Sequence, residues 1–172
     1  MLIFITGFMG AGKSYLGKVL ARQLRFDFVD LDELIEAKML MPISTIFEQQ
    51  GEAGFRRVEA ECLRSLAGKT DLVVATGGGT PCFLDNLAWM NVSGFTIYFS
   101  ASTNLLAKRL LSAKSKRPLL TSLNDDELEG FIKMKLAERT SFYGQCHLQF
   151  NVPEVGTEGI DELSSYLSKV LA

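Results

Sequence analysis

Long apolar runs, an excess of charge of either sign, paired histidines and regularly spaced cysteines are all missing from this chain of 172 residues, and each gap removes a class of function. No apolar stretch approaches the ~18 residues that a membrane-spanning helix needs, so no membrane partner is expected. Eighteen basic residues against 20 acidic ones leave a formal net charge of −2. That balance does not suit a general nucleic-acid binder, and any cationic site has to be local. His147 is the only histidine, which excludes a histidine pair, and no Ser-His-Asp triad is expected around it. It reads as a strand-edge residue. Cys62, Cys82 and Cys146 form an odd set without C-x-x-C spacing, pointing to neither a disulfide framework nor a zinc site. Cys62 falls on the apolar face of a helix and reads as core, whereas Cys82, beside a glycine run, is expected to be accessible. Met1 leads straight into an apolar strand with no room for a cleavable leader, so the expected location is cytoplasmic. The length fits one domain around one apolar core, and a monomer is expected.

What is present is concentrated first at Gly7-Phe8-Met9-Gly10-Ala11-Gly12-Lys13-Ser14, between the apolar run Leu2-Ile3-Phe4-Ile5 and a helix-patterned segment from Tyr15 to Arg25. The spacing Gly-x4-Gly-Lys-Ser is that of a phosphate-binding loop. Its backbone N–H groups wrap an anion only if glycines permit positive φ angles and close approach. Lys13 supplies a point charge near the β- and γ-phosphates, Ser14 a hydroxyl for Mg²⁺, and the helix opening here turns its positive end toward the anion.

Short apolar runs at 2–6, 26–30, 72–76, 95–100 and 148–152 alternate with amphipathic stretches, the rhythm of an α/β fold. Because the runs are almost continuously apolar, they suit a parallel sheet covered by helices on both faces. Ligands then gather beyond the carboxyl ends of the strands, where Gly7, Asp30 and Gly77 fall. Phe55, Val58, Cys62, Leu63 and Leu66 recur at helical spacing over 52–69, with Gly51 at the entrance. A shorter helix before it is signalled by the capping-box pattern Thr45-Ile46-Phe47-Glu48 after Pro42. Further helices fit 102–111 and a segment opened by Asp125-Asp126-Glu127, with small and basic residues between them that read as a mobile loop.

Asp30 and Asp32 close the second strand. One suits a metal or its waters and the other an alcohol acceptor, although Asp32 also fits a helix cap over 31–37. Arg56 and Glu59 lie three apart on one helix face; spacing alone favours an ordinary surface pair, the alternative being that Glu59 orients Arg56 toward an anionic substrate. The triplet Gly77-Gly78-Gly79 signals close backbone approach and reads as part of an acceptor pocket. Arg117, in Arg117-Pro118-Leu119-Leu120, has the character of a lid cation, and Arg139 that of a second cation or of a favourable helix C-terminal charge.

Taken in order, the phosphate loop, Asp30-x-Asp32, Gly51-Glu52-x-x-Phe55-Arg56-x-x-Glu59, Gly77-Gly78-Gly79, Arg117-Pro118-Leu119-Leu120 and Glu138-Arg139-x-x-x-Tyr143 resemble the shikimate kinase family. That family belongs to the nucleoside-monophosphate-kinase-like branch of phosphate-loop proteins. The resemblance covers almost the whole chain. It implies a three-layer sandwich with a five-stranded parallel sheet in the order 2-3-1-4-5, an acceptor-binding helical segment over about 31–60 and a lid loop over about 112–124. It also implies transfer of the ATP γ-phosphoryl group to the 3-hydroxyl of shikimate with Mg²⁺. Carried over by position, Gly10, Ala11, Gly12, Lys13, Ser14, Tyr15, Arg109 and Arg117 bind ATP, and Ser14 and, through water, Asp30 serve the metal. Asp32, Phe47, Phe55, Arg56, Gly77, Gly78, Gly79 and Arg139 bind the acceptor, and Lys13, Asp32 and Arg117 act in catalysis. The third strand ends without the aspartate usual in the wider superfamily, and Asp30 is the expected replacement. Another small-molecule kinase, of gluconate or of nucleoside monophosphates, is the nearest alternative. A nucleotide-gated binding module is further off, since no Asn-Lys-x-Asp motif is present.

Overall fold

The computed structural model describes residues 1–112 and 125–170. The chain runs β1 (Leu2–Thr6), α1 (Lys13–Leu24), β2 (Asp27–Asp30), α2 (Leu31–Met39), α3 (Ile43–Arg64), β3 (Leu72–Ala75), α4 (Asn86–Ser93), β4 (Phe95–Ser100), α5 (Thr103–Ser112), α6 (Asp125–Tyr143), β5 (Leu148–Asn151) and α7 (Ile160–Val170), with a short 3-10 turn at Thr80–Cys82. The strands form one five-stranded sheet in the order β2-β3-β1-β4-β5, every adjacent pair parallel. Each strand lies within a residue of the run read from the sequence.

Alternation along β1 divides the interior into two cores. Ile3 and Ile5 face the cluster containing Leu16, Leu20, Phe99, Leu106, Ile132 and Leu167, while Leu2 and Phe4 face Leu31, Ile35, Ile46, Leu63 and Met90 on the other side. At the central strands β1 and β3 both faces are dry, hence their unbroken apolar runs, whereas the edge strands β2 and β5 are partly exposed. Register then sets the level of the strand ends. Ala75 pairs with Ile5 on one side and with Asp30 on the other, so the segments after β1, β2 and β3 leave the sheet together.

Two helices, α4 and α7, have no counterpart among the elements read from the sequence. α4 is short and buries only Asn86, Leu87 and Met90, too few positions for a periodic signal. α7 does carry the spacing, with Ile160, Leu163 and Leu167 buried. In α3 the capping-box reading needs correction. The helix starts at Ile43 behind Pro42, and the Ile43 N–H is capped at 2.9 Å by the Glu36 carboxylate of α2 rather than by Thr45. Gly51 interrupts α3 with φ 66° and ψ −178°, a conformation essentially confined to glycine, so the two helices read from the sequence are one element with a kink at the expected entrance. The helix also ends at Arg64, short of Lys69.

Candidate functional site

Directly after β1 the phosphate loop turns on itself, the Ala11 N–H donating to the Phe8 carbonyl at 3.1 Å. Gly12 then takes the left-handed conformation, φ 86°, that starts α1. Lys13 Nζ donates to the carbonyls of Gly7 at 2.8 Å and Phe8 at 3.1 Å, which holds its charge against the loop. Ser14 Oγ donates to Asp30 Oδ2 at 2.5 Å, and the other Asp30 oxygen caps α2 by accepting from the Asp32 N–H at 3.0 Å. Asp30, not Asp32, is therefore the helix cap. The paired oxygens of Ser14 and Asp30 fit a hard cation that completes its sphere with phosphate and water. At the end of β3 the Thr76 hydroxyl donates to the Ile5 carbonyl at 3.1 Å, so Asp30 is the carboxylate at this edge beside the loop.

Farther along, Gly12, Tyr15, Leu16, Arg109, Glu154, Val155 and Gly156 line a cleft of about 250 Å³. Arg109 braces it by donating to the carbonyls of Gly10 at 3.3 Å, Pro153 at 2.9 Å and Glu154 at 3.1 Å. The segment 154–156 carries no motif and has no place in the sequence reading. Gly10 and Ala11 lie at the base of the loop, with Ala11 fully buried.

On the other side, the glycine triplet works as a ruler. A β-carbon on Gly77 would lie 3.3 Å from Asp32 Oδ1 and 3.1 Å from Glu59 Oε1. On Gly78 it would lie 3.3 Å from Arg139 Nη1, 3.3 Å from the Gly7 carbonyl oxygen and 3.4 Å from the Met9 nitrogen; on Gly79, 2.7 Å from Arg56 Nη2. Three bare positions thus carry Asp32, Arg139 and Arg56 side by side against the phosphate loop. Any side chain here would occupy the space between these charges.

Both arginines are packed on aromatic rings, Arg56 at 4.1 Å from the Phe83 ring centre and Arg139 at 5.5 Å from that of Phe8. Arg56 Nε and Arg139 Nη1 are buried without a hydrogen-bond partner among the described residues. Buried donors of this kind are costly unless a ligand satisfies them. Phe47 stacks on Phe55 at 4.5 Å, closing the α3 side. Tyr143, one turn beyond Arg139, donates to the Gly78 carbonyl at 2.6 Å and stacks on Tyr98 at 4.7 Å. Burial pushes its hydroxyl well above the ordinary value, so it stays a donor.

Although Asp32 opens onto solvent, the surrounding protein pushes its carboxyl from 3.8 up to about 6; burial is the largest cause, the charge of Asp30 adds to it and Lys13 opposes it. The surface-pair reading of Arg56 and Glu59 is corrected, because Glu59 is fully buried and accepts from Arg56 Nη1 at 2.9 Å. Spacing cannot tell a buried face of α3 from a wet one. Cys82 is half-buried rather than open, and burial raises its thiol against the opposing charges of Arg139 and Arg56. His147 is structural as expected, its Nδ1 accepting from the Thr96 N–H at 3.1 Å and its ring stacked on Phe95. Arg117 and the loop 113–124 lie outside the described residues.

The family model for shikimate kinase matches residues 9–162. The chain belongs to the shikimate kinase family. A shikimate kinase of Bacteroides thetaiotaomicron is 44% identical over 89% of this chain and 87% of its own length. The crystal structure of shikimate kinase from Bacteroides thetaiotaomicron superposes with a TM-score of 0.91 at 40% identity, covering 99% of this chain and 98% of that one. Shikimate kinase from Acinetobacter baumannii, solved in complex with shikimate, gives 0.84 at 30% identity over 99% and 92%. The family's sheet order and helical layers are those found here, and among the described residues no helix is long and apolar enough to cross a membrane.

Proposed function

We propose that the chain transfers the γ-phosphoryl group of ATP to the 3-hydroxyl of shikimate, giving shikimate 3-phosphate and ADP in the synthesis of aromatic amino-acid precursors. The observation that carries this reading is the convergence of Arg56, Arg139 and Asp32 on one glycine run beside the phosphate loop, with Arg139 Nη1 against Gly78 buried and without a hydrogen-bond partner among the described residues. A small polyhydroxylated acid supplies what those groups lack: a carboxylate for the arginines and a hydroxyl for Asp32.

The residue roles follow from this. Arg56 and Arg139 hold the acceptor carboxylate while Phe47, Phe55 and Gly77 to Gly79 shape its pocket. Asp32 takes the proton as the 3-oxygen bonds to the γ-phosphorus and the bond to the bridging β–γ oxygen breaks. A carboxylate raised to about 6 is ionised at neutral pH yet more basic than usual, which suits that task. Gly10 to Ser14 cradle the phosphates, Lys13 offsets their charge, and Tyr15 and Arg109 flank the nucleoside. Ser14 and, through water, Asp30 would hold Mg²⁺, which supplies neutralisation of the β- and γ-oxygens. Arg117, in the lid segment at about 112–124, is assigned to the phosphates by its motif alone, and 31–60 serves as the acceptor-binding segment.

Action as a monomer is part of this reading, and three free cysteines support a reducing compartment such as the cytoplasm. The test is a coupled ADP-release assay offering shikimate, gluconate and nucleoside monophosphates separately. A strong response to shikimate alone is expected; preference for gluconate or a nucleotide would overturn the acceptor assignment, and silence with all of them would favour a nucleotide-gated module.

A further inference from the structure

Behind Arg56 lies a line of buried polar groups to which the proposed reaction assigns no role. Glu59 accepts from Arg56 Nη1 on one oxygen at 2.9 Å and from the Thr80 hydroxyl on the other at 2.6 Å, and Glu59 and Thr80 are both fully buried. Thr80 opens the 3-10 turn that follows the glycine run. That turn is clasped from outside: the Thr80 carbonyl accepts from Asn86 Nδ2 at 3.0 Å, Asn86 Oδ1 accepts from Arg64 Nη1 at 2.6 Å, and Arg64 Nη2 donates to the Leu84 carbonyl at 2.8 Å.

We propose that Thr80 is a positioning residue for the acceptor: its hydroxyl, set in place by the Asn86–Arg64 clasp, fixes the Glu59 carboxylate, and Glu59 in turn aims Arg56 into the cleft. The inference rests on the reading of Arg56 as a carboxylate-binding group. Arg56 has a competing partner, since Glu52 on the exposed side of α3 already sits 3.3 Å from Nη2. A buried carboxylate that loses one of its two donors no longer holds a single orientation, and the guanidinium it steers is then drawn toward Glu52 and solvent. Phe83 under the guanidinium and the bare α-carbon of Gly79 constrain its plane but not its direction along that plane. Direction is what the Thr80–Glu59 bond adds.

Thr80→Val removes the hydroxyl while keeping the bulk of the side chain. Its KM for shikimate is expected to rise about tenfold, the loss of one hydrogen bond to a charged group, with kcat and the KM for ATP close to wild type. Thr80→Ser restores the hydroxyl and the acceptor KM. Thr80→Ala, which removes the same donor without placing a methyl against the carboxylate, gives the same split and guards against a valine variant that does not fold. Because Thr80 acts through Glu59, adding Thr80→Val to Glu59→Gln raises the acceptor KM no further than Glu59→Gln alone. An unchanged acceptor KM in the valine and alanine variants, multiplicative effects in the double variant, or a parallel loss of kcat and both KM values would each overturn the proposal. A wild-type protein that ignores shikimate would overturn the functional reading and this inference with it, whereas an active wild type with an indifferent Thr80 overturns the inference alone.

Discussion

At the nucleotide end of the cleft, the groups proposed to cradle the phosphates, Arg117 apart, come from one contiguous stretch, Gly10 to Ser14, and most of them are main-chain atoms whose positions follow from how β1 hands over to α1. At the acceptor end, Asp32, Arg56, Gly77 to Gly79 and Arg139 come from α2, α3, the loop after β3 and α6, and they meet only because sheet register brings the strand ends level. The first half is fixed by local geometry. The second is held by buried side chains: Glu59 and Thr80 behind Arg56, Phe8 under Arg139, Tyr143 on the Gly78 carbonyl. A substitution in one half should therefore leave the other largely intact.

The severest break is Asp32→Ala. It is expected to lower kcat about a hundred- to ten-thousandfold, the range of a lost general base, while ATP binding measured by calorimetry stays near wild type. Turnover at the wild-type rate would remove Asp32 from the reaction. Next comes Arg139→Lys, which keeps the charge but loses the fork; the KM for shikimate should rise about tenfold and the KM for ATP should not move. A parallel change in both KM values would erase the separation between the halves.

Two glycine variants sharpen the contrast. Gly79→Ala puts a methyl 2.7 Å from Arg56 Nη2 and should raise the acceptor KM severalfold with little effect on ATP. Gly12→Ala strains a position at φ 86° and should do the reverse. Steady-state kinetics with each substrate varied in turn reads both.

The smallest effects concern protons. Since the Asp32 carboxyl is raised from 3.8 to about 6, kcat/KM for the acceptor should fall as pH drops below about 6. The same shift penalises the folded protein only where Asp32 is ionised: the penalty is absent below pH 3.8, grows through about pH 6 and is complete above it. Asp32→Asn should therefore melt higher than wild type at pH 8 and equally near pH 4. With solvent screening at the open cleft, the gain is no more than about 1 kcal/mol. A variant that is less stable at pH 8 would contradict the shift.

The same division explains what could be read in advance. Strands appeared as apolar runs because two dry cores flank them, and the phosphate loop appeared because its chemistry demands fixed spacing within a few residues. For the acceptor half, the residue-by-residue reading was weakest where burial decides. Arg56 and Glu59 have the spacing of an ordinary helix-surface pair, and only the packing of α3 against the turn at Thr80 makes them a buried one. The kink at Gly51 was legible as a boundary, while the Glu36 cap on Ile43 was not, because a cap supplied by the neighbouring helix leaves no local pattern. Segment 154–156 reaches the nucleotide cleft through the Arg109 brace, a contact invisible to periodicity.

The central claim is that two half-buried arginines stand ready for the carboxylate of the acceptor. Phosphorylation of shikimate and of its methyl ester, compared by ADP release under identical conditions, tests it most directly. The ester keeps every hydroxyl and loses the charge at the cost of one added methyl group, so kcat/KM should fall at least about a hundredfold for two lost charge-assisted contacts. An ester that turns over as well as the acid would contradict the account.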